Sequence, residues 1–303
     1  MKKIVVAGSI NMDIVSNMEK FPIPGQTIYG NGFGTFPGGK GANQAAAAGK
    51  LGADVTFLGM VGKDIYGTQA LEALEQAGVN TEHIESTESV STGVAVIHVN
   101  EEGENYIVIQ EGANGLVDIP YIKRHLEILD TCDVVLLQFE IPLKTVEWIA
   151  DYCKKKNIQV ILDPAPARKC STSLLECVDY ITPNESELRL ISQKNERKAG
   201  AEMLLNEGVK YVLNKRGARG CYLIDKNGEL HVAGFQVDVI DTTAAGDSFN
   251  AGFAVALTRG MPPEDALTYA NATGALAVTG MGAQSAMPSH EEVCALIDEN
   301  NRT

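Results

Sequence analysis

The sequence predicts an α/β fold of three layers, α/β/α, in which helices cover both faces of a mostly parallel sheet and a small second β-sheet sits beside it. Three observations carry that expectation. Apolar strand-length runs alternate with helix-length segments from Asp54 to Val278, the mark of βαβ units with right-handed crossovers. The first run, Lys3 to Ile10, is apolar almost without interruption, as a strand buried on both faces must be. Four short segments with alternating or β-branched residues break the helix-rich pattern and predict the smaller sheet.

The 303 residues suit one large domain with a small appendage. No repeat, low-complexity tract or Pro/Ser-rich linker marks a second one, so residues 1–303 are expected to form a single domain. A formal charge of −14 argues against a nucleic-acid or anionic-membrane partner, both of which need a basic footprint. Six cysteines without a C-x-x-C pair predict reduced packing residues. The apolar run at the start breaks at Ser9, too short for a secretory segment or a membrane span. The expectation is a soluble cytoplasmic protein.

Taken in order, the strand Lys3–Ile10 delivers Asn11 and Asp13 at its C-terminal end, where ligands bind in open α/β sheets; an Asx-turn would explain them equally. Segments 14–20, 27–35, 92–100 and 105–110, the last two a hairpin around Glu101 to Glu104, supply the small sheet, a lid of about 14–35 and 91–110. Pro37 to Gln44 opens a close-packed helix; its glycines would let backbone approach a ligand, or would only let the helix pack tightly. A strand at Val55–Val61 and a helix at Tyr66–Ala77 follow. A helix over Ile119–Leu129 then leads to a strand over Asp133–Glu140, ending in the carboxylate of Glu140. Next come helix Leu143–Lys155, strand Ile158–Leu162, the Asp163 to Pro166 loop and strand Val178–Ile181. Asn184-x-x-Glu187 has capping-box spacing, which on spacing alone favours a simple cap; the functional alternative is a carboxylate that would help place Mg²⁺ through water. Helix Arg197–Asn206, strand Lys210–Asn214, a turn over 215–220 and a hairpin of Cys221–Asp225 with Glu229–Ala233 come next. Helices at Pro263–Val278 and Glu291–Glu299 close the chain.

Between that hairpin and those helices lies the stretch Val239 to Phe253. A helix entered through Ala244-Ala245-Gly246 leaves backbone N–H groups unpaired at the positive end of the helix dipole, a place that holds anions. Asp247 in that first turn either compensates the dipole or offers a base beside the anion.

At this point the chain resembles the ribokinase, or PfkB-type, family of carbohydrate kinases. The resemblance covers essentially all residues and rests on two signatures: Gly38-Gly39-Lys40-Gly41-Ala42-Asn43-Gln44-Ala45 and Asp241-Thr242-Thr243-Ala244-Ala245-Gly246-Asp247-Ser248-Phe249. It implies ATP-dependent phosphorylation of a sugar, with D-ribose and its 5-hydroxyl expected. Asp247 would be the base, and the amides of Ala244, Ala245, Gly246 and Asp247 the anion hole. Asn11, Asp13, Gly39, Lys40, Asn43 and Glu140 would bind sugar. Asn184 would lie near the phosphates, with Glu187 at Mg²⁺, and Gly217 and Gly220 near ATP. Lys215 stands there too, where the family often has a small hydroxyl residue. Asp241, Thr243, Ala277, Gly280 and Gly282 would surround K⁺, and Ala286 replaces a serine common beside that ion.

The residues themselves ask for no unusual pKa at Asp247, since a carboxylate near 3.9 is ionised at neutral pH. The small sheet's open edge and β-branched face predict a homodimer through the lid. Other same-fold kinases, of fructose, deoxyribose or a nucleoside, are alternatives; few aromatics are available to stack a nucleobase, and Lys40 is the obvious cation. A non-catalytic sugar or nucleotide sensor has no need of a base beside an anion hole. An NAD-dependent oxidoreductase lacks its G-x-G-x-x-G after the first strand.

Overall fold

The computed structural model describes residues 2–302. Ten strands form the main sheet, in the order Glu229–Val232, Cys221–Ile224, Tyr211–Lys215, Tyr180–Ile181, Gln159–Leu162, Val134–Leu137, Lys3–Ala7, Asp54–Gly62 and Val79–Asn80, with Ile84–Thr87 also pairing with Asp54–Gly62. All pairings are parallel except the two made by Cys221–Ile224. Alternation within the buried strands divides the core. Ile4, Val6, Val134 and Leu136 face one apolar cluster with helices Lys40–Lys50, Ala245–Thr258 and Pro263–Ala277. Val5, Ala7, Val135 and Leu137 face the other, with Leu143–Lys156 and Arg197–Asn206. The three layers follow from that two-residue period.

The smaller sheet runs Gly32–Gly38, Asn11–Met18, Gly93–Asn100, Asn105–Gln110. Its boundaries differ from the expected 14–35. Asn11 already pairs with Gly38 on one side and Gly93 on the other, so only Gly8 to Ile10 separate the first main strand from this sheet. Residues 27–31 stay irregular, and the third segment starts at Gly32. Asn11 and Asp13 therefore stand on a strand of the smaller sheet and are not in a turn.

Two further expectations need correction. The helix over 119–129 is two, Ile119–Arg124 and Leu126–Asp130, because His125 leaves helical geometry at φ −118° and ψ 27°. The strand over 133–140 is regular only from Val134 to Leu137. Beyond it the Phe139 N–H is donated to the Ala165 carbonyl at 2.9 Å, which turns Glu140 off the sheet. The six cysteines are free thiols. Among the described residues no helix is long and apolar enough to cross a membrane.

Candidate active site

Helix Ala245–Thr258 is apolar on nearly every side and is buried from Asp247 to Ala256, with Ala245 and Gly246 half-buried at its mouth. Entry is made by Ala244 in the left-handed region at φ 58°. The Ala245 amide closes a turn onto the Thr242 carbonyl at 3.3 Å, so it is spent and falls outside the expected anion hole. The amides of Ala244, Gly246 and Asp247 make no backbone hydrogen bond among the described residues. They are left at the helix N-terminus for an incoming anion.

Asp247 is 6% exposed. Its Oδ2 accepts from Asn43 Nδ2 at 3.1 Å and its Oδ1 from Gln44 Nε2 at 3.1 Å. Both donors come from helix Lys40–Lys50, so the two signature segments meet at this carboxylate. Burial raises the Asp247 carboxyl, the Lys40 ammonium opposes, and Asp163 adds to the rise, leaving it at about 6. The ordinary value expected from sequence is thus corrected by desolvation. Lys40 in turn is held above the usual lysine range, chiefly by Asp247 against the cost of burial.

Several of the residues expected at the sugar are brought together here. Asp13 is pushed up to about 7 by burial, then by Glu140 and Asp247. A side chain on Gly38 would collide with that carboxylate, its Cβ lying 2.3 Å from Asp13 Oδ2. Gly39 holds φ 90° with the Asn11 amide and Ser9 carbonyl under 3.0 Å from any Cβ, which is why the helix can begin so close to the sheet end. Glu140 Oε2 accepts from Ser9 Oγ at 2.6 Å and from the Lys40 amide at 3.0 Å. Asn11 Oδ1 accepts from Asn114 Nδ2 at 2.7 Å, which leaves the Asn11 amide nitrogen to donate elsewhere. Asn43 is different: its Oδ1 accepts from Gln284 at 3.3 Å while its nitrogen serves Asp247. Both ends are engaged, and its nitrogen holds the Asp247 carboxylate.

A cavity of about 490 Å³ opens from Lys40, Asp163 and Asp247 past Gly246, Glu187 and Lys215 to Gly217 and Gly220. Asn184 and Glu187 do form the capping box, Asn184 Oδ1 accepting at 2.9 Å from the Glu187 amide and Glu187 Oε2 at 2.7 Å from the Asn184 amide. Burial raises the Glu187 carboxyl, with Lys215 opposing. The cap therefore fixes an acid at the cleft wall. Gly217 at φ 55° and Gly220 at φ 80° shape the turn along the cleft wall.

Behind the anion hole, Asp241 joins two loops. Its Oδ1 accepts from the Thr243 amide at 2.9 Å and hydroxyl at 2.7 Å, and its Oδ2 from the Gly282 amide at 3.0 Å. Burial opposes, but these bonds hold the carboxyl below its usual range. Ala277 ends helix Pro263–Ala277, and the next carbonyl, Val278, accepts from the Ile240 and Asp241 amides. At Gly280 a Cβ would be 3.0 Å from that of Ala286.

Sequence reasoning missed Ser9, Gln44, Asn114 and Asp163. Gln44 Nε2 bridges Asp247 and Asp163, donating to Asp163 Oδ2 at 2.9 Å. Asp163 follows a strand just as Glu140 does, and that same signal would have found it.

Residues 1–290 match the family described as pfkB family carbohydrate kinase. Ribokinase of Bacillus subtilis is 41% identical over 302 residues, covering 98% of this chain and 100% of the relative. Deoxyribokinase of Salmonella typhimurium is 36% identical, covering 95% of this chain and 96% of its own. The structure of Arabidopsis thaliana ribokinase complexed with ribose and ATP aligns with a TM-score of 0.91 at 34% identity, over 98% of both chains. The chain belongs to the pfkB family of carbohydrate kinases.

Proposed function

We propose that this kinase transfers the terminal phosphoryl group of ATP to the 5-hydroxyl of D-ribose, giving ribose 5-phosphate and ADP. One observation carries the reading: a buried carboxylate, Asp247, stands at a helix N-terminus between the polar cluster of Asn11, Asp13 and Glu140 and the cavity lined by Glu187, Gly217 and Gly220. Likeness to ribokinases along the whole chain supports ribose as the acceptor.

Phosphoryl transfer through a loose transition state asks the protein to align donor and acceptor and to stabilise charge on the equatorial oxygens. The amides of Gly246 and Asp247 supply fixed dipoles for that charge. Asp247, aimed by Asn43 and Gln44, accepts the hydroxyl proton as the new O–P bond forms and the bond to ADP breaks. A base near pH 6 is mostly ionised at neutral pH and stronger than a free aspartate, which suits the task. Lys40 balances the negative charge around it.

The half-buried carboxylate of Glu187, held by the capping box, fits a site for Mg²⁺ through water, where the ion would neutralise phosphate oxygens. The ionised Asp241 and the loops of Thr243, Ala277, Gly280 and Gly282 fit K⁺, which would add positive charge behind the anion hole; Ala286 offers that ion no hydroxyl.

The small sheet carries Asn11 and Asp13 on one of its strands, and we assign it the role of a lid over the sugar on a single kinase domain. Its edge strand Asn105–Gln110 is exposed along its whole length, with Tyr106 62% and Val108 55% exposed. An open edge carrying apolar side chains on both faces suits pairing with a second copy.

A second reading keeps the chemistry and changes the sugar, in view of the deoxyribokinase relative. ADP formation from ATP with ribose, deoxyribose, fructose or adenosine, each in K⁺ and in Na⁺, separates them. Ribose in K⁺ is expected to give the highest kcat/KM. A preference for deoxyribose would move the assignment to that sugar, and equal ATP consumption with and without sugar would overturn it.

A further inference from the structure

Lys215 is the last residue of strand Tyr211–Lys215, and its ammonium forms an ion pair with Asp163 at 3.1 Å. Asp163 is buried and Lys215 largely so, with side-chain exposures of 3% and 11%. Asp163 does not depend on Lys215 alone, since its other oxygen accepts from Gln44. The ammonium is only partly used: of its three N–H donors, one goes to Asp163, and no other acceptor is present among the described residues. It also faces the cleft wall shared with Glu187 and Gly246. A Cβ built on Gly246 would lie 3.5 Å from Lys215 Nζ, which puts the ammonium over the turn that carries the unpaired amides.

We infer that Lys215 grips the terminal phosphate of the nucleotide and that Asp163 is the positioning residue that aims it. A buried cation with unspent donors beside a helix N-terminus favours a compact oxyanion, and charge-assisted bonds to phosphate are its strongest use. Gly246 suits the same geometry, because its missing side chain leaves the ammonium and the helix amides open to one anion. The strongest charge on Lys40 is Asp247, whereas Lys215 is paired with Asp163. A chain with a hydroxyl residue here would have no ionic contact to lose.

This rests on the kinase reading, so sugar-dependent ADP formation by the wild-type protein is measured first. Its absence with every sugar would defeat that reading. Binding of Mg²⁺-ADP and Mg²⁺-AMP-PNP is then titrated by calorimetry into wild type, Lys215→Met and the double variant Lys215→Met/Asp163→Asn. The double variant removes both charges and spares the fold a buried unpaired carboxylate. Loss of one ionic contact predicts AMP-PNP binding weakened roughly 10-fold or more, with ADP changed far less. Asp163→Asn alone should give a smaller but equally selective loss, together with a fall in kcat at saturating ATP. Equal weakening of both nucleotides, or none, in a protein that still turns over would overturn the role of Lys215 and leave the kinase reading intact.

Discussion

Gln44→Met tests how the site sets the basicity of Asp247. Gln44 donates one bond to Asp247 and one to Asp163 from the same nitrogen, so it both stabilises the ionised base and separates two carboxylates. Asp247 titrates at about 6 with that bond in place. A hydrogen bond to a charged group contributes about 1.5–3 kcal/mol, which at about 1.36 kcal/mol per unit is roughly 1–2 pKa units. The bond favours the ionised form, so its loss raises the pKa, to roughly 7–8 on the same basis. The acidic limb of kcat/KM should move up accordingly. At pH 7 the ionised share would fall from about 0.9 to about 0.1–0.5, and activity should largely return near pH 9. Methionine keeps the unbranched length, while Gln138, which donates to Gln44 Oε1 at 2.7 Å, loses an acceptor. That cost shows in thermal stability and moves no limb. Initial rates of ADP release with limiting ribose, from about pH 5 to pH 9.5, read the profile. A limb unmoved near 6 with a pH-independent loss would refute the idea that Gln44 tunes the base.

Asp13→Asn should stabilise the fold at alkaline pH while weakening sugar binding. Its folded pKa of about 7 lies above the ordinary carboxyl value of 3.8, so the stability it contributes is full below the lower value and lost as pH rises through the upper. Neutralising it gains at most about 4 kcal/mol above pH 7, less solvent screening, and thermal melts should diverge between about pH 4 and pH 7 and run parallel above. Melts that differ equally at all pH values would contradict this. In the edge strand, Ile107 is 52% exposed; Ile107→Glu should convert a dimer into a monomer by light scattering at micromolar concentration. A wild type that is already monomeric there would remove the proposed pairing.

Much of this architecture was legible because strands buried on both faces leave apolar runs. The runs Lys3–Ile10 and Asp133–Glu140 announce strands that are regular over Lys3–Ala7 and Val134–Leu137, and the two core clusters follow from alternate residues. What stayed hidden depends on partners far away in the chain. Asn11 enters a strand because Gly38 and Gly93 flank it, and no local pattern announces that. The helix break at His125 is likewise absent from the apolar periodicity. At the site, the residue types of the proposed base and anion hole were visible, but which hydrogen bonds each residue makes was not. Ala245 gives its amide to a turn, and Asn43 gives both ends of its amide to Asp247 and Gln284. The raised pKa of Asp247 comes from packing helix Ala245–Thr258 against Lys40–Lys50, a desolvation that only the assembled layers create.

The central claim is that Asp247 takes the proton from a sugar hydroxyl while the helix amides hold the phosphate. ³¹P and ¹H NMR of the product formed from ATP and D-ribose by wild type and by Asp247→Asn tests it most directly, alongside calorimetric sugar binding. The account predicts phosphate on the 5-oxygen with wild type, and with Asp247→Asn a rate lower by about 10²–10⁴ at little cost in ribose affinity. Near-normal turnover by Asp247→Asn, or phosphate released to water in place of the sugar, would contradict it.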